Sequence, residues 1–133
     1  MGKVPSGYGR YITITPAEST SHVCNVMFQV VDAEGNAVAD VLHFDVYLSD
    51  SAVGVGLTST SSSSAASAGS GYGAIVGILT AKKAWRVQTN ASGQFQFIVT
   101  DTSDTGFYPC ATIPGGPNNG RVVVGDALTD YGS

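Results

Sequence analysis

Apolar and polar residues alternate along much of the chain with a period of two, which is typical of β-strands that bury one face. In residues 23–31 the positions Cys24, Val26, Phe28 and Val30 share one face, and residues 41–48 and 94–100 repeat the alternation. No segment keeps the i, i+3, i+4, i+7 spacing of an amphipathic helix over three turns. The pattern therefore predicts an all-β domain.

About eight short strands are expected between clusters of turn-forming residues. Pro16 is predicted to end the first strand, because proline cannot donate a hydrogen bond to a ladder. The expected strands are 11–15, 23–31, 41–48, 74–79, 84–89, 94–100, 107–113 and 121–125. Their number and spacing predict an antiparallel β-sandwich of seven to nine strands. The predicted core is formed by Cys24, Val26, Phe28, Phe44, Val46, Phe97, Val99 and Tyr108.

Residues 51–81 contain no charged side chain, and their Ser/Gly-rich centre, 58–71, has low complexity. We expect a long exposed loop that is mobile in the free subunit and is ordered by docking on a neighbour, since interface cores are depleted of charge. A flexible insertion without a function is the alternative. The candidate interface residues are Ser59, Ser61, Ser64, Gly69 and Tyr72 in the loop, with Tyr8 and Trp85 outside it.

Length and charge limit the classes of partner. The chain has 133 residues, with 6 Lys and Arg against 10 Asp and Glu, for a formal net charge of −4. An acidic chain of this size argues against binding to nucleic acid or to an anionic membrane surface. No stretch approaches the ~18 apolar residues of a membrane span, and the amino terminus lacks the apolar region of a secretory signal. We expect an N-terminal arm (1–10), one sandwich (11–125) and a C-terminal tail (126–133).

Catalytic signatures are not found in the sequence. The two histidines are His22 and His43, and the serines form no G-x-S-x-G elbow. His43 and Asp45 share a strand face, but a solvated polar face explains them better than a metal site does. We therefore expect a protein that is not an enzyme and that needs no cofactor or metal.

The segment from Asp104 to Cys110, D-T-G-F-Y-P-C, resembles the D-x-G/A-x-Y-x-C signature of immunoglobulin-type domains. The resemblance implies an immunoglobulin-like sandwich in which Tyr108 forms a tyrosine corner with upstream backbone, and in which Cys24 faces Cys110 across the core. Trp85 lies far from the position of the usual core tryptophan. The two cysteines fit no zinc or redox spacing, and free buried thiols are favoured over a disulfide.

Three further segments carry a second resemblance. F-D-V-Y-L-S-D (44–50), the Gly/Ser-rich insert and L-T-A-K-K-A-W-R-V-Q-T (79–89) are similar to segments of small Ig-like virion proteins of tailed bacteriophages. This resemblance implies a non-enzymatic structural subunit, made in the host cytoplasm, which decorates the capsid or serves as a head-fibre or tail accessory protein. Its partners would be other capsid or tail subunits, including further copies of itself. The alternative is a carbohydrate-binding or adhesive module, with Trp85 and the tyrosines as a platform for a surface glycan.

Overall fold

The computed structural model describes residues 11–113, 121–129 and 131–132. These residues form nine strands, which confirms the all-β prediction. The strands are β1 (Tyr11–Glu18), β2 (Val23–Val31), β3 (His43–Ser49), β4 (Ser67–Ala68), β5 (Ala74–Thr80), β6 (Ala84–Gln88), β7 (Gln94–Thr100), β8 (Tyr108–Ile113) and β9 (Arg121–Val124). Over the described ranges, no helix is long and apolar enough to cross a membrane.

Two antiparallel sheets make up the sandwich. The first has the order β1-β2-β7-β4 and the second the order β5-β6-β3-β8-β9. The predicted inward faces of residues 23–31, 41–48 and 94–100 are confirmed, since the apolar side chains of each alternate with partly exposed ones. The period-two pattern arises because each sheet buries one face against the other sheet.

Aromatic side chains from both sheets fill the centre of the core. The ring of Phe28 on β2 lies 5.9 Å from that of Phe44 on β3, and Trp85 on β6 meets Phe97 on β7 at 4.7 Å in an edge-on geometry. Such tilted contacts between rings add to the free energy gained by burial. Leu128 and Tyr131, in the segment predicted as a tail, also belong to this core.

The prediction that Pro16 ends the first strand is wrong. β1 continues through Pro16, which lies opposite Val26, as far as Glu18. β1 is the edge strand of its sheet, so the missing N–H of proline costs no hydrogen bond when it points away from β2.

The 51–81 segment is less exposed than predicted. It contains the unpredicted strand β4, which pairs with β7, and two buried side chains, Thr58 and Ser62. The peptide N–H of Gly69 donates to Gln96, and that of Gln96 donates to Tyr72, so this part of the segment extends the first sheet. The long loop proper therefore runs from residue 50 to residue 66.

Candidate interaction surface

Residues 51–57, which we name the flap, lie over the outer face of the second sheet. The Tyr47 hydroxyl donates a 2.6 Å hydrogen bond to the carbonyl oxygen of Gly54. Gly54 has φ of +75°, and a Cβ there would come within 2.9 to 3.1 Å of Val124, Tyr47 and Val122. Only glycine fits this close approach, so the flap is held against β3 and β9.

A carboxylate fixes the end of the flap. Asp50 accepts hydrogen bonds from the Thr58 hydroxyl at 2.6 Å and from the Ser59 amide and hydroxyl at 2.9 and 2.8 Å. The Thr58 bond, followed by the two from Ser59, lowers the pKa of Asp50, because each stabilises the charged form. The hydroxyl of Ser59, an expected interface residue, is thus used within the chain.

Cys110 lies on the same outer face, beneath the flap. It pairs with Tyr47 across the β3–β8 ladder, while its neighbour Ala111 is the residue that enters the core. Burial raises the pKa of the Cys110 thiol to about 11. Burial, together with the nearby thiol, raises the pKa of Tyr47 to about 12. Both groups therefore stay protonated and unreactive near neutral pH.

The two cysteines face different environments. Cys24 points into the core from β2, whereas Cys110 points outward from β8, and both are buried thiols that form no disulfide. The prediction of free thiols is confirmed. The cross-core pairing implied by the immunoglobulin resemblance does not form, because strand alternation turns Cys110 away from Cys24.

Exposed aliphatic side chains are concentrated on the flap and on β5. Seven of the nine exposed large hydrophobic residues in the described part of the chain lie between residues 53 and 79. Six of them form what we name the apolar strip: Val53, Val55, Leu57, Val76, Ile78 and Leu79. Exposed apolar patches of this kind commonly mark interaction sites.

A groove of about 250 Å³ joins the two halves of the strip. Leu57 from the flap and Leu79 from β5 line it, together with Tyr47 and Ala84. Asp45, also at the groove, is paired with the Arg86 guanidinium at 2.6 Å. The groove therefore offers mainly apolar contact, with its one carboxylate already neutralised.

The predicted interface residues do not all lie on this surface. Ser59, Ser61, Ser64 and Tyr72 are exposed, whereas Gly69 is buried against Gln96. Trp85 is 2% exposed, so its expected role at an interface or under a sugar is wrong. Its strand position places it in the core opposite Val46. Tyr8 lies outside the described residues.

The tyrosine corner is replaced by a different contact. The Tyr131 hydroxyl, not that of Tyr108, donates to the backbone of the turn, at 2.7 Å from the carbonyl oxygen of Thr105. The prediction that Tyr108 lies in the core is wrong, because Tyr108 is half-buried and lies opposite Ser49, on the outer face of the second sheet. Asp104, in the same motif, contacts His22 at 2.8 Å on the surface.

The sequence pattern indicates the charge-free segment but not most of the apolar strip. Val53, Val55 and Leu57 lie inside the segment expected to dock, but the residues predicted to form the interface there are three serines, Gly69 and Tyr72. Val76, Ile78 and Leu79 lie in the predicted strand 74–79, whose residue pattern does not show which of its faces is covered. The absence of charged and proline residues from 74–79 was the available signal of an unprotected edge.

Other polar clusters on the described surface are small. His43 bonds Gln88 at 3.0 Å, and no group of three metal-ligating side chains occurs within residues 11–113, 121–129 and 131–132.

Comparisons of the chain with family models, with curated proteins and with solved structures found no significant match. The apolar strip is therefore the feature on which a functional proposal has to rest.

Proposed function

We propose that this protein is a non-enzymatic structural subunit of a bacteriophage virion, which acts through protein–protein contacts made by the apolar strip. The observation that carries the proposal is the concentration of exposed aliphatic side chains, Ile78 at 67% and Val55 at 74% exposed among them, within a segment that has no charge. Such a surface favours a protein partner, because burying it removes apolar area from water and desolvates no ion.

The strand order supports an immunoglobulin-like version of the sandwich. β1, β2 and β7 are neighbours in one sheet, and β3, β8 and β9 are neighbours in the other. If the strands are lettered by position, these are the A-B-E and C-F-G sets of immunoglobulin domains. β4 occupies the D position next to β7, but it precedes β5 and β6 in the chain. This order differs from that of variable domains.

The virion assignment itself rests on the sequence resemblance described above. The segments that carry it, 44–50 and 79–89, include parts of β3, β5 and β6, which surround the groove. The glycan-binding alternative is weakened, since Trp85 is buried and Tyr47 is bonded to the flap. Tyr72, 38% exposed, is left as a candidate stacking residue.

Purified virions test the proposal. Particles of the phage that encodes the chain would be banded by density, and the chain would be quantified in them by mass spectrometry against the major capsid protein. We expect a fixed, symmetry-related copy number that survives high salt, because the contact is apolar. Complete loss of the chain from banded particles would contradict a structural role. Binding to a glycan array by the free protein would favour the alternative.

A further inference from the structure

β5 is an edge strand of the second sheet. The sheet order gives it β6 as a neighbour on one side, and among the described residues no strand lies on the other. Its seven residues, A-I-V-G-I-L-T, include neither a charged residue nor a proline. Natural sheets usually protect an edge with such residues, because an unprotected edge pairs with another strand.

The side chains of β5 add apolar surface to this edge. Val76, Ile78 and Leu79 are 51%, 67% and 52% exposed. The ladder with β6 is irregular between Ile75 and Gly77 and again between Ile78 and Thr80, which leaves Val76 and Leu79 without partners in β6. The inserted residues are both large and aliphatic, so contact at this edge combines side-chain packing with main-chain hydrogen bonds.

We propose that β5 binds β5 of a second copy of this chain, antiparallel, across a two-fold axis at Gly77. The distribution of charge favours a second copy of this chain as the partner. The chain carries a net charge of −4, so two copies carry net charge of the same sign, but no charged residue lies between residues 51 and 81. A charged partner finds no complement on this edge, whereas a two-fold axis places the same uncharged aliphatic surface on both sides.

The axis at Gly77 follows from the length of the strand. Gly77 is the middle residue of β5, so an axis there centres the contact on the strand, places Ala74 opposite Thr80 and brings Val76 of one copy beside Ile78 of the other. No charged residue lies within β5, so the pairing brings no like charges together. The pairing goes beyond the proposed function and does not depend on a virion.

Sedimentation velocity over a range of concentrations tests the pairing in the full chain. We expect the wild-type protein to form a reversible dimer, and Ile78→Lys to weaken it at least about 100-fold, because the axis brings the two introduced ammonium groups close together. Val41→Lys is the matched control, since Val41 is 46% exposed and lies outside β5, and we expect it to dimerise like the wild type. A wild-type protein that is monomeric throughout, or an Ile78→Lys variant that dimerises normally, would overturn the proposal.

A cross-linking variant tests the register without relying on a disruptive substitution. A Cβ at Gly77 would meet only the Arg86 Cβ, at an ordinary 3.8 Å, so Gly77→Cys is accommodated. On mild oxidation we expect a disulfide-linked dimer. The wild type does not form it because the native thiols are buried, and Val41→Cys does not form it because the pairing of β5 with β5 leaves the two exposed thiols apart. A Gly77→Cys protein that dimerises but does not cross-link would overturn the register. A dimer that is absent from virions would contradict the proposed function and leave the pairing intact.

Discussion

The Tyr47 hydroxyl and the Gly54 carbonyl oxygen are joined by a 2.6 Å hydrogen bond that crosses from the second sheet to the flap. With the Asp50 contacts to Thr58 and Ser59, this bond holds both the middle and the end of a segment that has no regular structure. Val53 and Val55 are therefore presented on a fixed backbone. Preorganisation of this kind lowers the entropic cost of binding a partner.

Removing that bond tests how the flap is held. Tyr47→Phe deletes the donor and leaves a partly buried carbonyl without it, so we expect a loss of roughly 1 kcal/mol in the free energy of unfolding. We also expect faster alkylation of Cys110, which lies under the flap. Urea unfolding and thiol labelling measure the two effects. Tyr72→Phe is the control, since Tyr72 is exposed; an equal loss of stability there would contradict this account of the flap.

The pH dependence of stability reports the Asp50 contacts. Hydrogen bonds from Thr58 and Ser59 lower the pKa of Asp50 from the ordinary 3.8, so the folded protein binds this proton less tightly than the unfolded chain. The resulting stabilisation is complete above the unfolded pKa and is lost as the pH falls through the lower folded pKa. We expect Asp50→Asn to be less stable than the wild type at neutral pH, with the difference shrinking on acidification. A difference that is constant from pH 7 to about pH 2 would rule this out.

Removing the hydroxyl of Tyr131 or of Tyr108 shows which of the two tyrosines stabilises the turn before β8. Tyr131→Phe removes the donor to Thr105, in a turn where Asp101 also accepts a bond from the Thr105 amide at 3.0 Å. We expect a loss of about 1–3 kcal/mol, because the acceptor is left unsatisfied. Tyr108→Phe should change stability by less than about 0.5 kcal/mol. Thermal or urea unfolding of both variants measures the two losses of stability. A larger loss for Tyr108→Phe than for Tyr131→Phe would contradict this account and support a tyrosine corner at Tyr108.

Thiol titration checks the environments of Cys24 and Cys110. Both are buried and neither forms a disulfide, and burial raises the pKa of Cys110 to about 11. We expect no reaction with an aromatic disulfide reagent in the native protein at pH 8, and two thiols per chain in denaturant without reductant. The absence of free thiols in the denatured protein would show that a disulfide had formed.

The sequence was sufficient for the elements whose pattern is local. Alternation from Cys24 to Val30 and from Phe95 to Val99 identified strands and their buried faces, because one buried face imposes a period of two. The prediction that Pro16 ends the first strand failed because the effect of a proline depends on whether its strand lies at a sheet edge. That position is a property of the whole fold.

Non-local contacts explain the other differences. The face of Cys110 depends on the register of β8 against β3, and a shift by one residue would reverse it. The two-residue strand β4 exists because β7 offers an open edge beside it, not because Ser67 and Ala68 favour strands. The apolar strip was hidden for the same reason, as exposure of Ile78 or Val55 is decided by what packs against them.

Hydrogen–deuterium exchange tests most directly the claim that the protein acts through the apolar strip. Exchange would be compared between the isolated subunit, diluted until it is monomeric, and the subunit bound in purified virions. We predict that assembly slows exchange in peptides covering residues 51–81, and that peptides from β1 at the far edge of the first sheet exchange at the same rate in both states. Equal exchange of residues 51–81 in the free and the assembled protein would contradict the account.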